Sequence, residues 1–250
     1  MNDMPAPPAT YAPTQATEPD MSTAETLSGI FFEPSRTFEA LRVRPRFLVA
    51  GIILLVLAIV VTFVVYMRID MAQFIRDRIE RSPRAAQITE EQKETQVKFG
   101  KMFGAVVIPA SVPIVIAGGA ALYLVGLMAF GGSISYKKSL AVWTYSSLPP
   151  QVLGALIAIL VMFLKSPDSL NPEHIAVTNP GALLGEDASK VLVAILSQFD
   201  LVRFYGMFLA ALGLRKVAKV SSGQAWGVVI TLWVLGAILA VAAAALFGGR

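Results

Sequence analysis

From Ser139 to Leu164 the chain carries no charge at all, and this stretch limits what the rest can fold into. It forms the larger part of Gly131–Leu164, GGSISYKKSLAVWTYSSLPPQVLGALIAILVMFL. A helix rises about 1.5 Å per residue, so some twenty apolar residues cross the roughly 30 Å hydrocarbon core of a bilayer. The run is long enough, yet its middle holds Thr144, Ser146, Ser147, Pro149, Pro150 and Gln151. Proline removes a backbone donor and blocks regular helix geometry, which predicts a kink within a turn of Leu148. The polar side chains are placed to satisfy the freed carbonyls or to line a wet crevice. Such a helix needs protein neighbours inside the membrane. An all-α, polytopic membrane protein follows.

The other spans fall into place around this one. Phe47–Met67 is uncharged throughout, and Met102–Phe130 carries Pro109, Pro113 and the small-residue group Gly118 to Ala121. The third span covers 139–164. The fourth, 191–214, is interrupted by Asp200 and Arg203, with Gly206, Ala210 and Gly213 marking a small-residue face. The fifth covers 224–247. The expected membrane domain, 47–250, is a five-helix transmembrane bundle. A hydrophobic content of 55%, 15% charged residues and a mean hydropathy of +0.64 exclude an ordinary soluble domain. The basic balance, +4, belongs to span-flanking residues rather than to a nucleic-acid surface. The first apolar run begins too late and is too long for a signal-peptide core, so it is expected to stay in the mature protein.

Residues 1–20 are rich in Pro, Ala and Thr and are expected to be disordered. Ser22 and Glu25 form a capping box, and Pro34 opens a second helix. The resulting amphipathic pair over 21–46 is expected to lie in the headgroup region, the alternative being a soluble partner-binding helix. Residues 68–101 form a charged connection broken at Pro83, and a second capping box, Thr89 with Gln92, starts the helix that enters the second span. Arg42, Arg44 and Arg46, Lys137 and Lys138, and Arg215, Lys216 and Lys219 share one side of this topology. The positive-inside rule then puts the N-terminus in the cytoplasm and the C-terminus outside.

Catalytic chemistry is missing from the pattern. Without cysteine there is no disulfide or thiolate metal site, and the lone His174 has no carboxylate cluster near it in sequence. Glu90-Glu91 lies in a charged loop with Thr95 where the metalloprotease pattern E-E-x-x-x-R needs arginine, and Gly131–Ser135 lacks the last glycine of a nucleophile elbow. No phosphate-binding glycine loop is present. No catalytic residue, metal ligand or cofactor site is expected. Asp200 and Arg203 are the exception to a charge-free interior. Three residues apart, they are placed to pair on one helix face, either as a structural pair or as a functional one. Gly236, Ala240, Ala244 and Gly248 recur every four residues, a close-packing stripe for a helix of this chain or of another copy.

Three segments resemble the Yip domain (Ypt-interacting protein) family in its bacterial form. They are IFFEPSRTFEAL (Ile30–Leu41), GGSISYKKSLAVWTYSSLPP (Gly131–Pro150) and FDLVRFYGMFLAALGLRKVAKVSSGQAW (Phe199–Trp226). The resemblance implies five helices, a cytosolic N-terminus and no catalytic residues. It is associated in eukaryotes with small GTPases and vesicle traffic, a role that does not carry over to a bacterial inner-membrane member. Two functions compete. One is a non-enzymatic membrane protein that scaffolds, recruits partners or organises the bilayer, alone or as a homo-oligomer. The other is a small transporter or channel subunit with broken second and third helices.

Overall fold

The computed structural model describes residues 21–82, 85–167, 170, 175, 178–185 and 188–247. The 1–20 leader, the proposed break at Pro83, His174 and Gly248 lie outside the described residues. Two short helices come first, α1 (Thr23–Phe32) and α2 (Pro34–Val43). Then follow α3 (Leu48–Arg68), α4 (Met71–Glu80), α5 (Glu90–Ala129) and α6 (Tyr136–Leu164). The chain closes with α7 (Lys190–Leu196), α8 (Leu201–Ala218) and α9 (Ser222–Phe247). Four of these, α3, α5, α6 and α9, are long and apolar enough to cross a membrane, and α7 with α8 makes a fifth if the bent pair is one span. The protein is an all-helical, multi-pass membrane protein.

Local rules set the helix starts. The Ser22 hydroxyl accepts from the Glu25 N–H while the Glu25 carboxylate accepts from the Ser22 N–H at 2.6 Å. Those two bonds hold the Glu25 carboxyl below its ordinary pKa. Thr89 and Gln92 repeat the exchange at α5. With 40 residues α5 is about 60 Å long, twice the hydrocarbon thickness, so its polar first turns stand clear of the membrane.

The central helix is α6, which packs against α2, α3, α5 and α8. Of its most apolar stretch 28% is buried within the chain, against 11% for α3, α5 and α9. Val142, Tyr145 and Leu148 are buried with Leu127 of α5, Leu209 and Leu214 of α8 and Val228 of α9. At the far end Arg68 ties α3 to α6 by donating to the carbonyls of Met162 (3.0 Å) and Lys165 (3.2 Å).

Two sequence expectations change here. The fourth span is not one helix: α7 and α8 meet at 45° across a short break. The cause is Asp200, which caps α8 and so starts a new helix where the hydropathy pattern runs on. The leader pair, in turn, does not rest on headgroups alone. Ile30, Phe38 and Leu41 are wholly buried in the same core as α6 and α8. The fit is tight at Gly213 of α8, where a Cβ would stand 2.8 Å from the Phe38 ring and 2.9 Å from Val142. Only glycine allows that approach. Thr26 and the Tyr145 hydroxyl hydrogen-bond at 3.1 Å, and Lys216 of α8 is ion-paired with Glu39 of α2.

Candidate functional site: a polar crevice between α6 and α8

The expected polar patch divides. Thr144 is fully buried and donates back to the carbonyls of Leu140 and Ala141, with its methyl facing Gly51 of α3. Ser146 donates to the Trp143 carbonyl at 3.2 Å. These are not the carbonyls that prolines leave unpaired, which by the i to i−4 rule belong to Tyr145 and Ser146. The helix itself is not interrupted at Pro149 and Pro150, and both rings are buried. Pro150 serves as a contact: a Cβ at Gly206 of α8 would lie 3.3 Å from its Cγ.

Beside that contact α6 and α8 part. Ser146, Ser147, Pro150 and Gln151 line a cavity of about 430 Å³, facing Asp200, Arg203 and Gly206 across it. Tyr123 of α5, Val229 of α9 and Thr178 of the long connection complete the wall. Two groups that the sequence singled out separately, the polar half of the third span and the charges of the fourth, thus border one space.

Asp200 and Arg203 do not pair through their charged groups. One Asp200 oxygen accepts the Arg203 backbone N–H at 2.9 Å. The other accepts the Thr178 hydroxyl and, at 3.5 Å, the Asn179 amide. The Leu201 N–H donates to the Thr178 carbonyl at 3.2 Å. The Arg203 guanidinium turns back to Gln198. Asp200 is the N-cap of α8 and not a residue on its face, and an N-cap carboxylate is drawn to the free N–H groups of the first turn. The carboxylate therefore clasps the connection to the start of α8, and the guanidinium braces the break.

Sequence reasoning missed Thr178, Asn179, Gln198 and Tyr123. One signal for the break was available, an aspartate immediately before a helical run. Among the described residues no group of three or more histidine, cysteine, aspartate or glutamate side chains is placed to hold a metal. The crevice offers hydroxyls, one amide, one guanidinium edge and the Asp200 carboxylate, groups that suit hydrogen bonding to a polar solute or side chain.

The small-residue stripe on α9 lies elsewhere. Gly236 has open space beside it, Ala240 is exposed and Ala244 is half-buried. Within the chain the stripe packs on nothing at Gly236.

Comparison with known proteins places this architecture. The Yip1 domain model matches residues 28–244. The chain is also similar to the Membrane protein YknW of Bacillus subtilis (strain 168), with 29% identity over 208 residues covering 80% of this chain and 81% of that protein. No solved structure matches.

Proposed function

On the premise that this chain belongs to the Yip1 domain family of membrane proteins, we propose that it is a non-enzymatic scaffold that recruits partners at a bacterial inner membrane. The observation that carries the proposal is the seating of α1 and α2. A loose amphipathic leader would only sense headgroups. Here Ile30, Phe38 and Leu41 are buried in the membrane bundle while Phe32 stays 85% exposed and Phe31 and Val43 point outward. That makes a fixed platform with an apolar rim. Its partner is another protein of the membrane, or a second copy meeting the open stripe Gly236, Ala240 and Ala244 on α9. The N-terminus and the platform lie in the cytoplasm, the C-terminus outside, in keeping with the basic short loops.

A photo-crosslinker at Phe32 in native membranes tests the reading. A discrete protein adduct is expected at Phe32, with a strong loss when Phe38→Ala loosens the platform. Adducts to lipid alone would contradict recruitment. The crevice favours a second reading, passage or binding of a small polar solute. Flux of a labelled solute pool into vesicles holding the purified protein, abolished by Gln151→Leu, would establish that reading over the first.

A further inference from the structure

At the end of the bundle where α5 turns into α6 and α8 turns into α9, the surface is notched by two adjoining cavities. One, of about 570 Å³, is bordered by Arg42, Lys138 and Lys219 with the hydroxyls of Ser133 and Ser135. The other, of about 330 Å³, adds Arg215, Lys216 and Glu39 and shares Arg42 and Lys219. Lys138, Arg215 and Lys219 therefore gather beside the Lys216–Glu39 pair, whose charges cancel. Like charges brought together from α6 and the end of α8 repel unless an anion joins them.

Compensation of the α8 dipole does not account for so many cations. A helix C-terminus presents only about half a negative charge, so one cation suffices for it. Lys219 adds a second argument. It is the one described residue other than glycine with a positive φ, 55°, at a helix end where glycine or asparagine is the usual occupant. The fold keeps a lysine there and directs it into the notch.

We propose that this notch binds the phosphate of an anionic phospholipid headgroup. Basic pockets between membrane helices at a surface of this kind recognise such headgroups. The lipid source follows from position. Ser133 and Ser135 sit on the turn joining α5 and α6, both long enough to span, Lys138 lies in the first turn of α6, and Gln224 of α9 fastens this turn by donating to the Phe130 carbonyl at 2.8 Å. Exposed apolar side chains, Phe130 and Tyr136, flank the same α5–α6 turn. They offer contact for glycerol and upper acyl chain. A free phosphate would use the cations and leave those side chains idle.

The test uses the purified full chain in phosphatidylcholine mixed micelles titrated with acyl-pyrene phosphatidylglycerol, read by energy transfer from the tryptophans. Wild type is expected to prefer this probe over acyl-pyrene phosphatidylcholine. Lys219→Asn, which suits the backbone and removes the charge, should weaken binding about fivefold, the factor that about 1 kcal/mol per surface cation converts to. Lys219→Arg should restore it, and Lys98→Gln, toward the other end of α5, should leave it unchanged. Excess inorganic phosphate should not displace the probe. Equal affinity for both probes overturns the proposal, as does a preference unaltered in the Lys138→Gln, Lys219→Asn double variant. Full displacement by inorganic phosphate overturns the lipid assignment in favour of a soluble anion.

Discussion

Lys216, in the last turn of α8, is ion-paired with Glu39 of α2 across 177 residues of sequence. The pair joins the leader platform to the membrane bundle at its rim, while Phe38 against Gly213 joins it at its core.

Breaking the rim contact should cost little. The two side chains are 27% and 39% exposed, so solvent screens them, and exposed pairs are worth about 0.2 to 1 kcal/mol. Glu39→Gln is expected to lower the thermal midpoint in detergent by a small amount that shrinks further in high salt. A large, salt-insensitive loss would show that the pair carries more of the docking than the buried residues do.

The core contact should matter more. Gly213→Ala places a methyl 2.8 Å from the buried Phe38 ring, an overpacking expected to cost about 1 to 3 kcal/mol. Gly236→Ala makes the matched control. Its Cβ meets open space, so the change should be neutral or stabilising, by up to about 1 kcal/mol from helix propensity. Thermal unfolding of both variants in one detergent decides it, and the reverse order would place α9, not α8, at the docking interface.

Asp200 and Arg203 give a coupling test. Asp200→Ala removes the α8 cap and the Thr178 clasp and should cost about 1 to 2 kcal/mol, whereas Asp200→Asn keeps an acceptor and should cost less. Because the guanidinium bonds Gln198 and not the carboxylate, the Ala–Ala double variant should be additive within about 0.5 kcal/mol. A larger coupling energy would restore a direct charge pair.

Much of this architecture was legible locally. The two capping boxes and the Pro34 start depend on neighbours three residues apart, so the sequence displays them directly. Four span positions follow from length and apolarity, which the membrane itself imposes. The interruption at Asp200 was visible as a charge in an apolar run, but not that it starts a new helix at 45° to the one before, because averaged hydropathy passes over one capping aspartate. Nor was the docking of α1 and α2, since an amphipathic face says that something covers it and not what. Gly213 looked like any small residue on a helix face. Its partner Phe38 is fixed by tertiary structure alone. The polar residues of α6 and the charges of α8 were each visible, but only the fold puts Ser147 and Asp200 on one crevice.

Orientation has its own test. A reporter active only outside the cytoplasm should work when fused after Arg250 and fail when inserted at Lys138, since the basic turns line one end of the bundle. The opposite pattern would invert the protein and place the platform outside.

The central claim is that α1 and α2 form a fixed platform on the bundle. The chain has no cysteine, so Arg36→Cys on α2 and Lys137→Cys at the start of α6, both exposed, can carry a pair of spin labels without background. Their distance distribution, measured by electron spin resonance in lipid nanodiscs, should be single and narrow, and should broaden when Phe38→Ala empties the docking core. A broad distribution in the wild-type background, unchanged by Phe38→Ala, would mean that the leader floats on the membrane surface and would contradict the account.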